Sequence, residues 1–212
     1  MAISCAIFDF DGTLVQSNEI KRLAFYDTVS GWDEARPVLD AILARPDAGD
    51  RYAIFAVLHA ELAGKIDGLP GVAAWTCAYS RRCEEAIAAA PEIPGASEAL
   101  MALGAAGIAC YVNSATPLDA LIAVVGRRSF APYLRASLGA PASKLQNLES
   151  VRAREGVEPS SMVVIGDSEA DQVAAAAFGC RFIGIGPDHE RFVRPPRELL
   201  ADLRGLAALL IG

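Results

Sequence analysis

The sequence predicts an α/β protein, a doubly wound parallel sheet with helices on both faces, interrupted after its first strand by an all-helical insertion. Three observations predict it. Short apolar runs at 3–8, 108–112 and 162–165 each end in polar residues: Asp9, then Asn113 with Ser114, then Gly166 with Asp167. Such runs are the mark of buried parallel strands whose carboxyl ends meet a sheet rim. Between them stand segments with helical spacing, and strand–helix–strand alternation is how a doubly wound sheet is built. Residues 17–90 break that alternation, offering helical patterns and turns but no strand.

Along the chain, the first strand is expected at 3–8 and leads into the insertion at 17–90. Its hinges fall at 15–17 and in Pro91-Glu92-Ile93-Pro94-Gly95, where two prolines and a glycine interrupt helix and fix a turn. A helix at 96–106 places Leu100, Leu103 and Ala106 on one side before Gly107 stops it. After the strand at 108–112 come helices at 118–125 and 145–154, the strand at 162–165, and a helix at 170–178. A run at 181–185 after Gly179 adds another strand, and 198–210 reads as a closing helix. The expected division is therefore a catalytic core of 1–16 and 91–212 and a helical domain of 17–90.

Composition narrows the function. The 212 residues are 53% hydrophobic and 21% charged, which suits a globular protein. With 19 basic and 26 acidic residues the formal net charge is −7, and no dense basic run appears. Long-range attraction to nucleic acid or to anionic lipid is disfavoured, so neither is an expected partner. An anionic substrate must instead be held by a metal, one or two cations and aimed backbone amides. The opening residues show no basic leader and their apolar run stops at Asp9, so the expected compartment is the cytoplasm. The five cysteines contain no Cys-x-x-Cys pair and read as small reduced hydrophobes.

The chemistry concentrates at the strand ends. In Asp9-Phe10-Asp11-Gly12-Thr13, carboxylates at i and i+2 leave a strand on one face. Side by side they repel, and a hard divalent cation, magnesium bound by carboxylate and substrate phosphate, holds them together. Asp9 is placed to attack phosphorus and Asp11 to protonate the leaving alcohol. Gly12 permits a tight turn, which the Thr13 hydroxyl stabilises. In Asn113-Ser114-Ala115-Thr116-Pro117, the Ser114 hydroxyl and the amides after it, beginning at Ala115, are donors to phosphate oxygens. Thr116 reads as the cap of the next helix. Lys144, the only lysine beyond residue 65, supplies a compact charge for phosphate. In Gly166-Asp167-Ser168-Glu169-Ala170-Asp171, Asp167 completes a metal site, Asp171 one helical turn on supports a metal-bound water, and Glu169 points elsewhere. Read alone, each cluster also fits a turn, a helix cap or a surface charge.

In this order, Asp9-x-Asp11-Gly12-Thr13, Ser114, Lys144 and Gly166-Asp167-x-x-x-Asp171 resemble the four motifs of the haloacid dehalogenase superfamily. Pro94-Gly95 and the Leu-rich helix after it extend the likeness. The resemblance implies a Rossmann-like core and a small helical cap that opens for exchange and closes for chemistry, as in the phosphoglycolate phosphatase and β-phosphoglucomutase-like branch. It implies Asp9 as nucleophile and metal ligand, Asp11 as acid/base and backbone-carbonyl metal ligand, and Asp167 as metal ligand with Asp171 as its supporting partner. Thr13, Ser114, Ala115 and Lys144 then bind substrate phosphate, and Mg2+ is the cofactor. Within the superfamily an aspartate at position 11 points away from dehalogenases, from phosphonatase-like members with Ala there and from transport ATPases with Thr. The expected activity is hydrolysis of a small phosphorylated metabolite by a monomer or homodimer. A sugar phosphomutase, or a non-catalytic phosphate-binding module, are the alternatives. In the cap, Lys21, Arg22, Arg45, Arg51, His59 and Lys65 are candidates to meet a second anionic group.

Overall fold

The structure is a computed structural model that describes residues 2–45, 48–190 and 192–212. In chain order its elements are β1 (Cys5–Phe8), α1 (Asn18–Thr28), α2 (Ala35–Leu43), α3 (Arg51–Leu62), α4 (Val72–Ala89), α5 (Ala96–Ala105), β2 (Ala109–Pro117), α6 (Leu118–Val125), β3 (Ala136–Ala140), α7 (Lys144–Glu155), β4 (Met162–Gly166), α8 (Glu169–Phe178), β5 (Arg181–Ile185), β6 (Leu199–Leu200) and α9 (Leu206–Ile211). They divide into two compact units, Met1–Gln16 with Ala90–Gly212, and Ser17–Ala89.

The first unit holds a six-stranded sheet in the order β3-β2-β1-β4-β5-β6. Every neighbouring pair is parallel. β1 is central because all four of its residues are buried and apolar, so it accepts cover on both faces. On one face Cys5, Ile7, Ala109, Tyr111, Met162 and Val164 pack with Leu148 and Val151 of α7 and with Ala174, Ala175 and Phe178 of α8. Burial of each large side chain in such a layer contributes about 1.5–3 kcal/mol. The intervening residues Ala6, Phe8, Cys110, Val112, Val163 and Ile165 are buried as well and point to the opposite face. The chain order reverses around β1, with β2 on one side and β4 on the other. That reversal opens a crevice at the carboxyl ends of the strands, where such sheets bind ligands.

Two sequence expectations need correction here. The segment 198–210 is not one helix: Leu199–Leu200 forms β6, and helix begins only at Leu206. Gly184 N donates to Glu198 O and Gly186 N to Leu200 O, both at 2.9 Å, and Arg181 pairs with Glu198 at 2.5 Å. These contacts with β5 outweigh the local helical pattern. β3 is a strand that the sequence does not announce, since Ala136-Ser137-Leu138-Gly139-Ala140 carries one large apolar side chain. The five cysteines are free thiols, with Cys5, Cys83 and Cys110 buried, Cys180 half-buried and Cys77 exposed.

The second unit is the four helices α1 to α4, packed as α1 on α4, α2 on α3 and α3 on α4. Its core is aromatic. Phe25 lies 4.3 Å from Tyr79 and 5.2 Å from Phe55 between ring centroids, and Trp75 lies 5.8 Å from Phe55. Among the described residues, no helix of either unit is long and apolar enough to cross a membrane.

Candidate active site

The register of the central strands assembles the first-unit site. Phe8 is level with Val112 on one side and Ile165 on the other, so Asp9 falls level with Asn113 and Gly166. The Asp9 amide donates to Ile165 O at 2.8 Å, which carries the ladder one residue past the strand. The chain then turns sharply: Leu14 N and Val15 N donate to Phe10 O, and Gly12 N donates to Val15 O at 2.8 Å. Gly12 has φ 78°, a left-handed conformation open to glycine without a steric cost. Asp11 rides on this turn and is buried, and its Oδ2 accepts a long contact of 3.3 Å from Thr116 Oγ1.

Lys144 is the first residue of α7. Ser143 caps that helix through Gln146 N, while the Gln146 side chain accepts from Ser143 N, a capping box that fixes where the helix starts. From there the Lys144 ammonium reaches Asp9 Oδ1 at 3.0 Å and Asp171 Oδ1 at 2.5 Å. Ser168 Oγ donates to the other Asp171 oxygen at 2.5 Å, and Thr13 Oγ1 makes a long contact of 3.4 Å to Asp167 Oδ1. One carboxylate oxygen from each of Asp9, Asp167 and Asp171 lies within 4.8 Å of the others, and all three residues are buried.

Burial pushes the Asp9 carboxyl up to about 7; Lys144 pulls it down, while Asp171 and Asp11 push it further up. Asp171 is raised too, by burial first, against the opposing pull of Lys144 and Ser168. Burial works against the charged Lys144, but Asp9 and Asp171 outweigh it and hold the ammonium charged. Among the described residues, the Lys144 ammonium thus meets two buried carboxylates, with the third, Asp167, converging on both. The donor set is all oxygen and acidic, and that is the chemistry a hard divalent cation such as magnesium takes.

Gly166 is needed for this packing. A Cβ there would lie 2.4 Å from Asp171 Cγ and 2.5 Å from its Cβ. The absence of a side chain at the end of β4 is what lets α8 bring Asp171 against the strand.

Asp9, Asp167, Asp171 and Lys144 are therefore brought together, with Asp11 and Thr13 beside them. Ser114 is buried within β2, and its Oγ accepts from Thr116 N at 3.1 Å, a contact that uses a lone pair and leaves the hydroxyl hydrogen to donate. Ala115, the next residue of the same strand, is exposed. Two expectations change. Thr116 does not cap α6, whose cap position is Pro117 without a side-chain bond, because its hydroxyl turns to Asp11. Thr13 bonds Asp167 rather than its own turn. Glu169 does point elsewhere, accepting from Val193 N at 2.8 Å. In the second unit, Arg22 pairs with Glu19 at 2.9 Å, Arg51 donates to Ser80 and lies over the Tyr79 ring, and His59 stands edge-on to Trp75.

Three residues of the site carry no role that the sequence alone assigns. Ser168 orients Asp171. Asn113 and Asn147, both buried, link β2 to α7: Asn147 Nδ2 donates to Asn113 Oδ1, and Asn113 Nδ2 to Lys144 O, each at 2.9 Å. The signal that points to them is a polar residue on the buried stripe of α7, which runs Asn147, Leu148, Val151.

Sheet order and cluster together define a doubly wound α/β protein with an acidic, lysine-paired centre at its switch point. The chain belongs to the haloacid dehalogenase-like hydrolases, a family whose match covers residues 3–179. No curated protein matches it. Among solved structures it is similar to a mutant of CbbY from Rhodobacter sphaeroides in complex with xylulose-1,5-bisphosphate, at 22% identity and TM-score 0.76 over 96% of each chain. It is similar to a predicted phosphoglycolate phosphatase from Haemophilus somnus 129PT, at 16% identity and TM-score 0.76 over 98% of this chain and 97% of that one. It is also similar to the putative hydrolase YfnB from Bacillus subtilis bound to magnesium, at 15% identity and TM-score 0.75 over 99% of each. At these identities the likeness is one of fold.

Proposed function

We propose that this protein is a magnesium-dependent phosphatase that hydrolyses a small phosphomonoester through a covalent phosphate on Asp9. The observation that carries the reading is the contact of Asp9 Oδ1 with the Lys144 ammonium at 3.0 Å, in a cluster where Asp167 and Asp171 converge. Membership in a hydrolase family supports it. So does the binding of a sugar bisphosphate by CbbY and of magnesium by YfnB.

Asp9 and Asp167, with the backbone carbonyl of Asp11, would hold the magnesium. Bound there, the ion supplies the positive charge that keeps these buried carboxylates ionised and neutralises a phosphoryl group. Lys144 adds a charge for the phosphate, and its bond to Asp171 restrains it beside Asp9. Ser114 Oγ and the Ala115 amide donate to phosphate oxygens.

In the first step an Asp9 carboxylate oxygen bonds to phosphorus, the phosphorus–oxygen bond to the alcohol breaks, and its electron pair stays on the leaving oxygen. That oxygen takes a proton from Asp11. In the second step Asp11 removes a proton from a water as that water bonds to phosphorus. The bond from phosphorus to Asp9 breaks, releasing phosphate and restoring both acids. The helical region 17–90 serves as a cap that limits water during the first step.

Phosphate release by wild type and Asp9→Asn from a panel of small phosphomonoesters with magnesium tests this. Wild type is expected to release phosphate from at least one member, and Asp9→Asn to lose at least about a hundredfold with its fold retained. Isomer formation without net phosphate release would make the protein a phosphomutase instead. Phosphate binding without any turnover would make it a non-catalytic module.

A further inference from the structure

The Asn113–Asn147 pair lies beside the acid cluster, and no step of the proposed reaction uses it. Both residues are 4% exposed, and Asn147 stands on the face of α7 that otherwise buries Leu148 and Val151. A leucine at that position would add apolar burial without the cost of desolvating an amide. Something else must hold the amide there, and the bonding pattern identifies it.

The Lys144 carbonyl can only accept, so Asn113 must face it with Nδ2, at 2.9 Å. That turns Asn113 Oδ1 toward α7, and Asn147 must then present its own Nδ2, also at 2.9 Å. One acceptor thereby fixes the orientation of both amides. The link runs from Asn147, through Asn113 of β2, to the backbone of the residue whose ammonium meets Asp9 and Asp171. The capping box at Ser143 and Gln146 fixes the start of α7 along the chain; the amide pair fixes it against the sheet. A lysine side chain is flexible, so the placement of its backbone decides how much freedom the ammonium must surrender to span two carboxylates.

We propose that Asn147 is a positioning residue for Lys144, acting through Asn113 to hold the lysine backbone where its ammonium bridges Asp9 and Asp171. The activity arm of the test rests on the phosphatase reading; a second arm does not. The variants are Asn147→Ala, Asn147→Asp, which cannot donate, and the milder Asn147→Ser, each also made in Lys144→Ala.

With wild-type Lys144, Asn147→Ala is expected to lower kcat/KM about tenfold, the loss of one buried hydrogen bond, and Asn147→Asp further. In Lys144→Ala the same substitution is expected to cost less than about twofold, because the group it positions is gone. Equal losses in both backgrounds, or wild-type activity in Asn147→Asp, would overturn the inference. The activity-independent arm is competitive acetylation, since the chain has three lysines and Lys21 and Lys65 serve as references within the same molecule. Lys144 of Asn147→Ala and Asn147→Ser is expected to react at least about threefold faster relative to them than in wild type, as its ion pairs loosen. An unchanged ratio sinks the inference even if the phosphatase reading stands. A raised ratio upholds it even if no phosphomonoester is turned over.

Discussion

Gly166→Ala adds a single methyl group at the point where strand and helix approach most closely. The new Cβ would sit 2.4 Å from Asp171 Cγ, whereas ordinary contact begins at 3.4 Å, so the carboxylate must retreat by 3.4 − 2.4, about 1 Å. Asp171 is 1% exposed and held by two bonds of 2.5 Å, one from Lys144 and one from Ser168. A retreat of that size lengthens them toward about 3.5 Å, where a hydrogen bond keeps little of its strength. Two bonds to a charged group at about 1.5–3 kcal/mol each, together with overpacking of about 1–3 kcal/mol, sum to about 4–9 kcal/mol, an upper range that relaxation of the neighbours lowers. That is a large part of the about 5–15 kcal/mol that holds a domain folded. Equilibrium urea unfolding followed by circular dichroism measures it, with the slope unchanged and the midpoint lowered. A loss below about 0.5 kcal/mol, no more than a neutral surface change, would refute the packing argument.

Other substitutions and conditions follow from the same structure. Gly104 is exposed in the last turn of α5, and an added methyl group would meet nothing within 4 Å, so Gly104→Ala is expected to stabilise by about 0.5–1 kcal/mol in the same unfolding assay. Burial raises Asp9 from 3.8 to about 7, so across that window the folded chain keeps a proton that the unfolded chain has released. Stability of the metal-free protein should therefore fall as pH rises from about 4 to 7, as thermal melts in chelator will show. Magnesium requires the ionised carboxylate, so the rise in Tm it causes should be larger at about pH 8 than at about pH 5.5. Asp167→Asn removes one of three clustered carboxylates and should abolish most of that magnesium-dependent rise while leaving the metal-free melt unchanged or higher.

The parts of this structure that are legible in the sequence are those decided locally. β1, β2 and β4 announce themselves because each begins as a continuous apolar run that meets a polar residue, at Asp9, Asn113 and Asp167, but β2 does not stop there and runs on through Asn113 to Pro117. α6 is legible at its full extent, since its ends are marked by Pro117 and Gly126 and its apolar face is regular. β3 is not legible because its place depends on a distant contact: Gly139 has no side chain to meet Thr116 O, which a Cβ would approach to 2.5 Å. β6 is two residues long and exists through its bonds to β5. The acid cluster is readable as motifs, but the bridge from Lys144 to Asp171 is not, because charge alone does not say which carboxylate a lysine meets. Thr116 misleads for a related reason. A threonine before a helix is a cap by local rules, and only the fold shows Asp11 within reach of its hydroxyl.

The proposed covalent step is open to direct capture. Protein mixed with magnesium and a radiolabelled phosphomonoester from the panel is quenched in acid within one turnover, digested and mapped. Label released by hydroxylamine, confined to the peptide that contains Asp9 and missing from Asp9→Asn, is the expected result. Turnover with no protein-bound label under the same quench, or label on a different residue, would contradict it.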